Sequence, residues 1–215
     1  MFSLAAPKYW SWYCHVGGSS DAGAGKIHGL GCRLGPKHVL TAAHVFEQYA
    51  FPTALLTDGL WKCSVERDWP SLDIALIRVE TPLKKKGQSE EISEFPDLAT
   101  RIPQMGTSLG YIGWLKLLDE SGQSKGRTYF GQGHVAFFEK GLRGQTLLAV
   151  DGSAVEEGFS GGPAFTPDGI LCGVLVEALQ YAPKLGERGR QVNALPLVSP
   201  IASIRNEIQA LLKEA

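Results

Sequence analysis

The sequence contains no run of about 18 apolar residues, the least that a membrane-spanning helix needs. Its opening, "MFSLAAPKYWSWYC", has neither the charged start nor the apolar stretch of a secretory signal, so an intracellular, cytoplasmic chain with no membrane partner is expected. Excess charge is also missing. A net charge of −1 supplies no electrostatic basis for holding nucleic acid or an anionic bilayer. The one basic cluster, "KKKG" at 84–87, reads as a solvated loop after Pro82. Cysteine is sparse: Cys14, Cys32, Cys63 and Cys172 form no CxxC pair, and they read as small buried side chains rather than disulfide staples. His28, Cys32, His38 and His44 match no familiar zinc-ligand spacing, so no metal or cofactor is expected. The segment "GGSSDAGAGKI" fails as a phosphate loop, because Ser20 and Ile27 stand where glycine and Ser or Thr are required; it reads as a long hairpin loop.

What the chain does have is many short apolar segments separated by glycine and proline. In "YWSWYCHV", Trp10, Trp12, Cys14 and Val16 alternate with polar or aromatic neighbours, the period of a half-buried strand. "GLGCRLG", "KHVLTAAHV", "SLDIALIRVE", "GTSLGYIG", "GHVAFF", "TLLAV" and "GILCGVLVEAL" continue the series, and "TPDG" at 166–169 has the residue order of a hairpin turn. A helical stripe occurs only at the end, where Ser199 can cap, Pro200 suits the first position, and Ile201, Ile204, Ile208 and Leu211 share a face. Many strands and one terminal helix predict an all-β barrel or sandwich architecture, with the polar stretch 81–104 linking two halves.

The stretch "EEGFSGGPAF" at 156–165 surrounds one serine with glycines. A serine hydroxyl attacks a carbonyl only when a base takes its proton and donors hold the oxyanion. None of the five histidines follows Ser160, which excludes the α/β-hydrolase order in spite of the G-x-S-x-G match at 158–162. Histidine before aspartate before serine remains, with His44 in "LTAAHV" and Asp73 opening "DIALIRV".

"LTAAHV", "LDIALIRV" and "GFSGGPAF", in that order, resemble the three motif blocks of chymotrypsin-like (trypsin-like) serine peptidases, most closely the disulfide-free bacterial Deg/HtrA-type branch. The resemblance runs from about Lys26 to the C-terminus and is weak in the middle. It implies two six-stranded antiparallel β-barrels with a catalytic cleft between them: about residues 1–95, about residues 96–198, then a terminal helix over 199–215. It also implies that His44 is the general base, that Asp73 orients it, that Ser160 is the nucleophile, and that the amides of Gly158 and Ser160 form the oxyanion hole.

Several positions depart from the family pattern. Phe159 stands where secreted relatives carry the aspartate that receives a freed N-terminus, so activation by N-terminal insertion is not expected. Val45 and Glu156 replace family cysteines, in keeping with a reducing compartment. Ala154 falls at the specificity-pocket floor, with Val176 and Ala178 on the flanking strand. A small or medium apolar side chain before the scissile bond is therefore expected, although Glu156, Glu157 and Glu177 lie nearby. Val176 also replaces a serine that in many relatives bonds the catalytic aspartate, leaving that support open. No PDZ-like segment follows the last helix, so a full Deg/HtrA assembly is not expected. The sequence thus predicts a serine endopeptidase of narrow specificity acting on protein or peptide, restrained by that specificity, by latency or by a regulatory protein partner. The competing reading is a catalytically silent peptide-binding module on the same fold.

Overall fold

Twelve strands close into two barrels in a computed structural model that describes residues 7–19, 26–47, 49–85, 92, 94–118, 124–152, 158–180 and 194–214. The first barrel comprises β1 (Tyr13–Ser19), β2 (Lys26–Arg33), β3 (His38–Ala42), β4 (Phe51–Leu56), β5 (Gly59–Trp69) and β6 (Ile74–Lys85). They close in the order β1-β2-β3-β6-β5-β4, every pair antiparallel. The second comprises β7 (Ser108–Leu118), β8 (Ser124–Lys140), β9 (Thr146–Gly152), β10 (Pro163–Phe165), β11 (Leu171–Gln180) and β12 (Ala194–Pro200). Its order is β10-β11-β12-β9-β8-β7, again antiparallel throughout. Closure leaves neither sheet with an open edge.

Apolar packing sets how the barrels sit against each other. One continuous core includes Val16, Leu40 and Leu76 of the first barrel together with Ile112, Leu147, Phe165 and Leu197 of the second. A separate core inside the second barrel contains Tyr111, Val135, Leu148, Phe159 and Leu175. "TPDG" makes the expected hairpin: the Gly169 N–H donates to the Thr166 carbonyl (3.0 Å), and β10 pairs with β11 on either side. All four cysteines are free and buried. No helix among the described residues is long and apolar enough to cross a membrane.

Three local expectations are corrected. Residues Pro7–Trp12 form a helix, α1, rather than the start of a strand. Tyr9 and Trp12, three apart, share its buried face, whereas Trp10 is exposed; the two tryptophans two apart had imitated a strand period. Tyr9 donates to the Pro167 carbonyl (2.9 Å) and packs on Phe130 and Phe165, which fastens this helix to the second barrel. At the other end, α2 spans Arg205–Lys213, and Ser199 and Pro200 belong to β12, paired with Val174 and Gly173. Ser199 caps nothing; its buried hydroxyl donates to the Leu72 carbonyl at 2.6 Å. The third correction concerns the link, since β6 extends through Lys85 and so takes in residues 81–85, including the first lysines of "KKKG". The loop at 20–25 lies outside the described residues; the strands flanking it pair antiparallel.

His15, on β1 with its ring edge against Tyr13, is partly buried, and burial pushes its pKa down from 6.5 to about 4. The folded protein keeps this imidazole neutral while the unfolded chain protonates it. Its contribution to stability is therefore full above pH 6.5 and is lost as pH falls toward 4. Thermal melts across that window are expected to drop by a few degrees more in the native protein than in His15→Gln. Parallel curves for the two proteins would remove His15 from the account.

Candidate active site

Chain geometry after β3 delivers His44. The strand is buried at every residue and turns into a short 3₁₀ segment, Ala43–Val45, in which Ala43 and Val45 face inward while His44 is left a third exposed. Asp73 arrives from the opposite direction. It ends the 3₁₀ turn Pro70–Leu72 just before β6, with φ 56° and ψ 40°. It is the only non-glycine with positive φ among the described residues. Aspartate tolerates this left-handed conformation better than most residues. The conformation is pinned on both sides: the Asp73 N–H donates to the Pro70 carbonyl (3.2 Å), and the Asp73 carbonyl accepts from the Ala43 N–H (3.0 Å).

The two side chains then meet. Asp73 is nearly buried, its Oδ1 accepts the His44 backbone N–H at 3.0 Å, and its Oδ2 lies 2.6 Å from His44 Nδ1. An ionised carboxylate can only accept, so the ring proton sits on Nδ1 and the free lone pair on Nε2, the nitrogen pointing away from the pair.

Ser160 meets the first barrel from the second, through its backbone. Its carbonyl accepts the Leu30 N–H of β2 at 2.8 Å. The Leu30 carbonyl in turn accepts the hydroxyl of Thr41, three residues before His44, at 2.6 Å. Gly29 is wedged at this junction: a Cβ there would lie 2.5 Å from the Ser160 carbonyl oxygen and 2.9 Å from a methyl of Val45. The serine loop is thus seated on the strands that carry the histidine, across the boundary between the barrels. Gly158 has φ 97° and Gly161 φ 83°, both in the left-handed region that glycine alone enters without strain. Among the described residues no backbone carbonyl takes the amide of Gly158 or of Ser160. Phe159 is buried in the core of the second barrel.

One participant carried no sequence signal. Arg143, in the turn between β8 and β9, extends its guanidinium to the first barrel. Nη2 lies 3.4 Å from Asp73 Oδ1 and pairs with Glu47, while Nη1 donates to the Pro70 carbonyl at 3.4 Å. Hydrogen bonding to Glu47, with the fields of Asp73 and Glu177, raises its pKa against the opposing effect of partial burial. Glu177 also acts locally, its Oε1 accepting the Leu142 N–H at 2.9 Å, so it braces this turn rather than standing free at the rim.

Of the expected specificity residues, Ala154 lies outside the described residues, as do Glu156 and Glu157. Val176 is buried on β11 at a register shift, and Ala178 is half-buried against the second core. The histidines weighed as zinc ligands have separate neighbours: His38 Nε2 faces Glu66 at 2.8 Å, His28 stacks on Tyr49, and His44 faces Asp73.

Comparison with known proteins bears on the family and the fold. Residues 29–174 match the family model of the trypsin-like peptidase domain. No curated protein gives a significant match. Among solved structures, the apo form of the MamO protease domain from Magnetospirillum magneticum is similar at 20% sequence identity with a TM-score of 0.60, covering 92% of this chain and 95% of that one. At that identity the likeness speaks for the fold.

Proposed function

The chain belongs to the trypsin-like peptidase domain family, and from that premise we propose that it is a serine endopeptidase cleaving protein or peptide substrates through an acyl-enzyme. The observation that carries this reading is the 2.6 Å contact between Asp73 and His44 beside a docked Ser160 loop. His44 Nε2 takes the Ser160 proton as Oγ attacks the scissile carbonyl. Asp73 stabilises the imidazolium that forms, and the Gly158 and Ser160 amides receive the oxyanion. His44 then protonates the leaving amine, and water, activated by the same imidazole, releases the acyl group.

Buried Phe159 supports an enzyme that needs no N-terminal ammonium for its active shape. Four free, buried cysteines support a reducing, cytoplasmic setting. Ala154, Val176 and Ala178 bring no charge to the primary pocket, which favours a small or medium apolar residue before the cleaved bond. Restraint then falls to narrow specificity, latency or a protein partner.

A fluorophosphonate probe tests the proposal. Covalent labelling of the native protein, abolished in Ser160→Ala, is the expected result. Absence of labelling across pH and substrate-mimic conditions would instead leave the cleft as a peptide-binding module.

A further inference from the structure

We infer that Arg143, reaching from the second barrel, is a positioning residue for the Asp73–His44 pair, so that both halves of the molecule hold the triad carboxylate. This rests on the peptidase reading above and adds to it a residue outside the three motif blocks.

The need arises at position 176. Valine there has no side-chain donor, and the carboxylate, 6% exposed, requires more than the histidine alone to offset its buried charge. Arg143 offsets the buried charge: its Nη2 forms an ion pair at 3.4 Å with Oδ1, the oxygen that accepts the His44 backbone N–H. Its other contacts aim the guanidinium. Nη1 donates to the Pro70 carbonyl, which also accepts the Asp73 N–H, and Nη2 pairs with Glu47, three residues beyond His44. The turn beneath is rigid: Arg143 N–H donates to Gln145 Oε1 (3.0 Å), the Gly141 N–H to the Gln145 carbonyl (3.0 Å), and the Leu142 N–H to Glu177 on β11. A chain of contacts therefore runs from β11, through the turn, to the aspartate. A planar fork that touches a carboxylate, a second carboxylate and a carbonyl at once is a task for arginine rather than lysine.

Charge gives the arrangement a measurable signature. Among the described residues, Arg143, Glu47 and Asp68 together line a cavity of about 170 Å³ beside the pair, with Glu177 behind the turn. Arg143 offsets part of the negative field that Asp73 places on the imidazole. Removing the guanidinium strengthens that field and favours the imidazolium.

NMR titration of the His44 ring, together with fluorophosphonate labelling rates, tests the inference in the native protein, Arg143→Gln and Arg143→Lys. In Arg143→Gln the His44 midpoint is expected to move up by about half a pH unit, and labelling at neutral pH to slow about tenfold. Arg143→Lys is expected to restore the titration but only part of the labelling rate. A native protein that labels, alongside an Arg143→Gln that is folded and unchanged in both readouts, would overturn the inference. A native protein that does not label would defeat the peptidase reading alone. The titration would still decide whether Arg143 acts on the pair, a shifted midpoint supporting it and a static one refuting it.

Discussion

Asp73→Asn is expected to lower kcat by about 10⁴-fold while leaving the fold intact. The structure decides which way the new amide turns. Oδ1 accepts the His44 backbone N–H at 3.0 Å and forms an ion pair with the Arg143 guanidinium at 3.4 Å, so the single remaining carbonyl oxygen of asparagine belongs there. Its NH₂ must then face His44 Nδ1, where the carboxylate oxygen had stood at 2.6 Å. A donor facing Nδ1 forces the ring proton onto Nε2, the nitrogen that accepts from Ser160 in the proposed mechanism. The base is present but in the wrong tautomer. Steady-state kinetics on any cleaved peptide, with circular dichroism as the control, measures the effect. A loss below tenfold would mean that Asp73 does not set the tautomer, and the triad assignment would fall with it.

Gly161→Ala is expected to lose about 3 kcal/mol of stability, a fall of roughly 10 °C in Tm. Two penalties combine. At φ 83° an alanine pays the left-handed strain of about 1–2 kcal/mol. Its Cβ would also run into the Leu30 carbonyl oxygen and the Thr41 hydroxyl, backbone and side chain of the first barrel that hydrogen-bond each other and cannot simply withdraw. Gly106 separates the two effects, because it has φ 81° and an added methyl there would meet nothing within 4 Å. Gly106→Ala should therefore show the strain alone. Equal melting losses in the two variants would show that Gly161 is needed for its dihedral and not for the close approach between barrels.

Much of this molecule is legible from residues close together in the chain. Alternation of apolar side chains marks the start of β1, because a strand sends neighbours to opposite faces and burial sorts them, and short apolar runs mark β2, β3 and β6; β4 and β5 carried no such mark in the sequence analysis. The turn at 166–169 is equally local, since proline, aspartate and glycine each favour particular backbone angles. Where two periods coincide, local evidence misleads. "YWSW" offers tryptophans two apart for a strand and Tyr9–Trp12 three apart for a helix, and the second barrel's Phe130, Phe165 and Pro167 select the helix. Ser199 and Pro200 look like a helix start for the same reason. Their pairing with β11 and the bond from Ser199 to Leu72 hold them in a strand instead.

The sequence by itself determined the three motif blocks and their order, and hence the fold class and the candidate residues His44, Asp73 and Ser160. Each block is a short run whose composition reflects its own backbone needs: small residues around a histidine at a strand end, an acid before a buried strand, glycines where two chains touch. Only the tertiary structure decided who supports the aspartate. Arg143 sits in an ordinary polar turn, 73 residues after Pro70, and nothing in its neighbourhood distinguishes it from a solvated surface cation. Its role exists because two closed barrels pack through a shared apolar core and bring that turn against the first barrel's 3₁₀ segments. Attraction between opposite charges is decided by distance in space, and local residue patterns do not report it.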